Sequence, residues 1–100
     1  MTTEYDISVG VLRIAATRSN GVATFKRCWN EISSVVHLSS AATAQSQTRP
    51  GEEMWQQLVR NIKSHHIAEG NFIYEGLLSH VPRVGYKITA AGQAFLNNLS

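Results

Sequence analysis

The sequence predicts an α+β domain of the winged helix-turn-helix type, with three helices, a short β-hairpin wing and a C-terminal helix. Three observations predict it. Apolar residues recur at helical spacing in three successive stretches. Two short strand-like runs joined by a tight bend follow the third stretch. A capping threonine then opens a last apolar segment. With 100 residues there is material for one hydrophobic core, so residues 1–100 are read as a single domain.

The first helix is expected from Ile7 to Thr17, where Ile7, Val11, Leu12, Ile14 and Ala15 share a face and Asp6 is placed to cap the start. Ser19, Asn20 and Gly21 form a turn, and Gly21-Val22-Ala23 is a short extended piece before Thr24, a good N-cap residue. The clearest pattern follows. Phe25, Cys28, Trp29, Ile32, Val35 and Val36 fall on one stripe, which Lys26, Arg27, Asn30, Glu31 and Ser34 avoid. His37 to Gly51 is rich in Ser, Ala, Thr and Gln and reads as a long connection with room for one helical turn.

The third helix takes Glu52 and Glu53 into its first turn, where acids suit the positive helix end, and carries Met54, Trp55, Leu58, Val59 and Ile62 on its apolar face. Its pattern breaks after Ser64, and Phe72-Ile73-Tyr74 reads as an apolar turn under the next element. Leu77–Val81 and Val84–Ile88 are the two hairpin strands, with Pro82 and Arg83 at the bend. Thr89 caps the last helix, from which Ala91, Ala94, Phe95, Leu96 and Leu99 are expected to return to the core. Alternation puts Tyr86 opposite Lys87 in facing, and leaves open whether the core or the wing surface claims Tyr86.

Composition narrows the function classes. Nine Lys and Arg against seven Asp and Glu give a formal charge of +2, so any nucleic-acid contact must be local. The single Cys28 cannot form an intramolecular disulfide, no leader-like segment opens the sequence, and the cytoplasm is the expected compartment. No apolar run approaches the roughly 20 residues that cross a bilayer, which argues against a membrane partner.

The run from Glu75 to Gly92, with Gly76-Leu77-Leu78, the basic bend at Arg83 and Tyr86-Lys87-Ile88-Thr89 before Gly92, resembles the wing and last-helix start of the N-terminal domain of Mrr-type restriction endonucleases. Gly21-Val22-Ala23-Thr24, Trp55 and Val59 also sit where that family would have them, so the resemblance runs from Gly21 onward. His65 to Gly70 is an addition to the pattern. The resemblance implies a DNA-recognition module, part of or associated with a restriction or defence protein or acting as a transcriptional regulator. It also implies a nuclease domain or subunit as partner.

The residues argue for double-stranded DNA independently. Gln57, Arg60, Asn61 and Ser64 recur at helical spacing on one face of the third helix, opposite Trp55, Leu58 and Ile62, with Lys63 beside them. Arg grips guanine O6 and N7 with two bonds, and Asn or Gln does the same for adenine N6 and N7. Lys26, Arg27 and Arg49 are candidates for phosphates, and Arg83 and Lys87 for the neighbouring backbone or minor groove. The plain alternative for this face is a solvated one, with its charges placed for the helix dipole.

No catalytic residue, cofactor site or metal site is expected. His65 and His66 point apart on a helix, no Cys-x-x-Cys or His-x-x-x-His spacing exists, and no elbow, phosphate loop or nuclease-like acidic cluster appears. Cys28, Trp29 and Trp55 lie on apolar stripes and are assigned to the core. A second function class stays in view, because winged helices also serve as protein-interaction and dimerisation modules, and a charge of +2 fits a homodimer as well.

Overall fold

Thr3, not Asp6, opens the first helix. In the computed structural model, which describes residues 1–99, helix α1 runs Glu4–Ala16. The Thr3 hydroxyl accepts from the Asp6 amide at 3.1 Å, and the Asp6 carboxylate accepts from the Thr3 amide at 2.9 Å. This reciprocal box moves the start of the helix ahead of Ile7 and places Asp6 inside the first turn.

Strand β1 (Val22–Thr24) leads directly into α2 (Phe25–Val35), whose cap is Thr24 as expected: its hydroxyl accepts from the Arg27 amide at 3.1 Å. The buried part of the α2 stripe is narrower than its spacing predicts. Cys28 and Ile32 are fully buried, Phe25 and Trp29 are half-buried, and Val35 is exposed. Trp29 is therefore only partly a core residue. Helices α1 and α2 approach so closely that a Cβ on Gly10 would collide with the Val36 side chain.

The connection after α2 holds one turn of helix, α3 (Ser40–Thr43), and then doubles back onto the start of α4 (Met54–Ser64). Gln45 and Glu53 form an antiparallel bridge. The Met54 amide donates to Ala44 O and the Ser46 amide to Glu52 O, each at 2.8 Å. Because this bridge takes the Glu52 backbone, Glu52 lies outside the helix, and Glu53 is its cap residue with extended backbone. The expectation of two acids in the first turn is thereby corrected.

Strands β2 (Leu78–Val81) and β3 (Gly85–Ile88) form the predicted hairpin, and β1 adds antiparallel to the far side of β3, giving the order β1-β3-β2. At the bend the Val84 amide donates to Val81 O at 3.0 Å, with Pro82 first and Arg83 second in the turn at φ 65°. That is the type II pattern, whose second position favours glycine. A Cβ on Gly85 would strike the backbone of Ala23, so β1 and β3 need glycine there.

Helix α5 (Ala90–Asn97) is capped by Thr89, whose hydroxyl accepts from the Gly92 amide at 2.9 Å. Phe95 and Leu96 pack on the core, but Ala91 and Ala94 are exposed, contrary to the predicted inward set. The buried position in this turn is Gly92, where a Cβ would meet Leu77 O.

The core is built around α1, with Ile7, Val11, Leu12, Ile14 and Ala15 against Ile32, Val59, Ile62, Phe72 and Leu78. Tyr86 belongs to it fully: it is 0% exposed, and its hydroxyl donates to Val59 O of α4 at 2.6 Å. The turn after α4 is closed by Asn71, whose amide nitrogen donates to Ile62 O at 2.9 Å while its oxygen accepts from Ile73 and Tyr74. Phe72 is buried as expected, and Tyr74 is exposed. Among the described residues no helix is long and apolar enough to cross a membrane.

Candidate nucleic-acid interface

Tyr86 fixes how the hairpin meets α4, because a strand whose tyrosine bonds a helix carbonyl holds that face of the sheet against the helix. Residues directly opposite in an antiparallel pair share a face, and Tyr86 pairs with Ala23 on one side and His80 on the other. His80 is thus carried to the α4 side, where its ring lies 5.8 Å from the Tyr86 ring. Between hairpin and helix lies a concavity of about 200 Å³, lined by Phe25, Arg49, Arg60, Lys63, Ser64, His80 and Tyr86.

The sequence reading had placed four of these in a DNA interface: Arg49, Arg60, Lys63 and Ser64. They come together. Lys63 and Ser64 are exposed, as is Arg49 at the end of the connection. Arg60 is different. Its Nε donates to both Glu52 carboxylate oxygens at 3.0 and 3.1 Å, and its Nη2 donates to Oε2 at 2.6 Å. Its guanidinium carbon also sits 5.6 Å from the Phe25 ring centre and 5.3 Å from that of Trp29. Arg60 therefore does not project from a solvated face but lies on an aromatic platform with a carboxylate in its fork.

Gln57 and Asn61 stay out of the concavity. The Gln57 oxygen accepts from the Ser46 hydroxyl at 2.6 Å and the Thr48 hydroxyl at 3.1 Å, so its acceptor ties the connection to α4. Asn61 is half-buried. The shared solvent face expected for Gln57, Arg60, Asn61 and Ser64 is corrected accordingly: only Ser64 of the four is exposed.

Lys87 pairs with Val22 and Ser79, which puts it on the sheet face opposite Tyr86 and α4, apart from Arg60 and Lys63. Arg27 turns to Glu31 at 3.3 Å, a carboxylate already held by Arg18 at 2.7 Å. Lys26 is exposed on α2, and Arg83 is exposed at the hairpin tip. Among the described residues no ion pair includes Lys26, Arg49, Lys63, Arg83 or Lys87.

Ionisation favours a charged Glu52 and a neutral His80. The Glu52 carboxyl is held below its ordinary value, first by its bonds to Arg60 and then, against the effect of burial, by the charges of Arg60 and Arg49. Partial burial, then Lys63 and His66, hold His80 below the ordinary imidazole value. Phe25, Glu52 and His80 are contributors that the sequence reading missed. The hairpin register, which sets His80 opposite Tyr86, was a signal for His80, but none in the sequence links Glu52 to Arg60 across the bridge. Away from this site, burial raises the Cys28 thiol to about 12, so it stays protonated at neutral pH and acts as a small apolar side chain. No group of three or more His, Cys, Asp or Glu gathers at metal-holding distance among the described residues.

Comparison with protein-family models, with known protein sequences and with solved structures gives no significant match to this chain.

Proposed function

We propose that the domain is a winged helix that binds double-stranded DNA, with α4 toward the major groove and the β2–β3 hairpin beside it as the wing. The observation that carries this reading is the convergence of Arg49, Arg60, Lys63 and His80 on one concavity between α4 and the hairpin. Arg49 and Lys63, exposed and outside every ion pair among the described residues, give a chain of net charge +2 a local cationic footprint there, the kind that phosphate contact requires. The order helix, strand, helix, one-turn helix, helix, hairpin, helix, with β3 central in the sheet, supports the fold part of the reading. Lys63, Arg49 and Arg60 meet phosphates, Ser64 approaches base edges, and Arg83 reaches the adjoining backbone. Such a module serves as the recognition part or companion of a nuclease, or as a transcriptional regulator.

The test is a fluorescence titration of selected and random duplexes at several salt concentrations. Affinity should fall steeply with salt. Arg60→Ala should weaken preferred and random duplexes to a similar extent, as loss of a phosphate contact does. Arg83→Ala should weaken all duplexes alike and lower the salt slope by about one. A parent protein with no salt-dependent affinity for DNA overturns the reading.

One feature favours a second reading, a protein-interaction module. Met1, α3 and α4 enclose an open cavity of about 590 Å³, with Ala41, Ala42, Ala44, Met54 and Leu58 in its walls. Under that reading a partner protein binds with little response to salt, and DNA does not bind.

A further inference from the structure

We propose that Glu52 stands in for a DNA phosphate: it holds Arg60 in the unbound domain, and binding exchanges the Arg60 guanidinium from Glu52 to a phosphodiester seated in the concavity. This rests on the DNA-binding reading and adds a competitor that tunes the same site.

The geometry of the pair is that of the contact it replaces. Both Glu52 oxygens lie within 3.1 Å of Arg60 Nε, and Oε2 also takes Nη2 at 2.6 Å. A planar guanidinium fork grips phosphate oxygens in the same two-pronged way. The residues lining the concavity include no carboxylate, while Arg49, Lys63 and His80 stand beside Arg60. A volume of about 200 Å³ holds a phosphate group with several waters, each of which takes roughly 30 Å³.

Exchange is mechanically simple. Glu52 sits outside α4, and its backbone carbonyl is pinned by the Ser46 amide at 2.8 Å, so the carboxylate can swing away while the connection stays in place. Arg60 stays supported, because the Phe25 and Trp29 rings under its guanidinium do not depend on Glu52. The Arg60 and Glu52 side chains are 31% and 18% exposed, so an incoming phosphate can reach them. The carboxylate therefore lowers affinity for any duplex and admits only complexes whose phosphate displaces it.

The experiment is Glu52→Gln, which keeps the shape and removes the charge, titrated with random duplex across a salt series beside the parent. Melting checks that the variant is folded. The variant should bind about two- to fivefold more tightly, the range expected when a partly exposed ion pair no longer has to be broken. Its salt slope should steepen by about one. A second arm follows the Arg60 Nε–H resonance during addition of inorganic phosphate at constant ionic strength, and it should shift saturably in the variant and less in the parent.

A parent that binds DNA with salt dependence while Glu52→Gln binds no more tightly overturns the exchange and leaves the DNA reading standing. A phosphate response without DNA binding by either protein overturns the DNA source and leaves the free ion as ligand. Neither response in either protein overturns both.

Discussion

Arg60 and Arg83 are both arginines of the proposed interface, yet they are held in opposite ways. Arg60 is locked by a carboxylate from the preceding connection and by two aromatic rings from α2. Arg83 is exposed at the tip of a three-residue bend, has no ion pair among the described residues, and adopts a left-handed conformation that glycine would adopt without strain. The first arginine is part of the packed structure, and its fork is occupied by Glu52. The second contributes nothing to packing and is available at once, at a conformational cost. Under the proposed DNA reading, α4 is where stability and recognition are coupled, and the hairpin tip is where they are separable.

The largest effect should come from the root of α4. Trp55 is 7% exposed, stands edge-on to Trp29 at 5.6 Å and donates its indole N–H to Glu53 at 2.8 Å. Trp55→Ala should destabilise the domain by about 3–5 kcal/mol, read from denaturant or thermal unfolding. A loss below about 1 kcal/mol would break the comparison, because an α4 that loosely anchored could not hold Arg60 in place.

Tyr86 joins the two regions and tests their coupling. Tyr86→Phe keeps the ring but leaves Val59 O without its partner, for an expected loss of about 1–3 kcal/mol. The same change should loosen His80 against α4, visible as a shift of the His80 ring resonances. Unchanged stability would mean that hairpin and helix are held together by apolar packing alone.

At the tip the sign reverses. Arg83→Gly relieves the left-handed strain and should raise stability by up to about 1 kcal/mol, while it removes one phosphate contact and lowers the salt slope by about one. A variant that loses stability would place Arg83 among the packed residues after all.

The smallest effect is a pH dependence. Partial burial, with Lys63 and His66, holds His80 below its ordinary value of 6.5 in the folded domain. Between that depressed value and 6.5 the unfolded chain binds more protons than the folded one, so His80 makes stability fall as pH drops through this window. Melting at about pH 7.5 and pH 5.5 should show the parent losing more than His80→Gln. A bound phosphate acts oppositely, so DNA affinity should rise over the same interval in the parent and less in the variant.

Much of this architecture was legible because its determinants are local. Thr24 and Thr89 cap their helices as their positions predict, and the hairpin follows from two short apolar runs around Pro82-Arg83. The start of α1 was misread because Asp6 is a good cap residue by type, and only the reciprocal bond with Thr3 shows it to be inside. Alternation separated Tyr86 from Lys87 but could not say which faced inward, and once Tyr86 enters the core Lys87 must leave the α4 side. The pairings of Glu52 with Arg60 and of Ser46 with Gln57 were out of reach, since both depend on a connection that doubles back without periodicity. The candidate interface was thus visible as a set of residue types on α4, and the Glu52 carboxylate that holds Arg60 was not.

The central claim, that the concavity between α4 and the hairpin receives DNA phosphate, is tested most directly by a titration of the isotope-labelled domain with a short duplex, followed by amide and side-chain resonances. Shifts should centre on Arg49, Arg60, Lys63, Ser64 and His80, with Arg83 perturbed at the tip and the pattern fading as salt is added. Shifts centred instead on Ala42, Met54 and Leu58, or no shifts at any salt concentration, would contradict it.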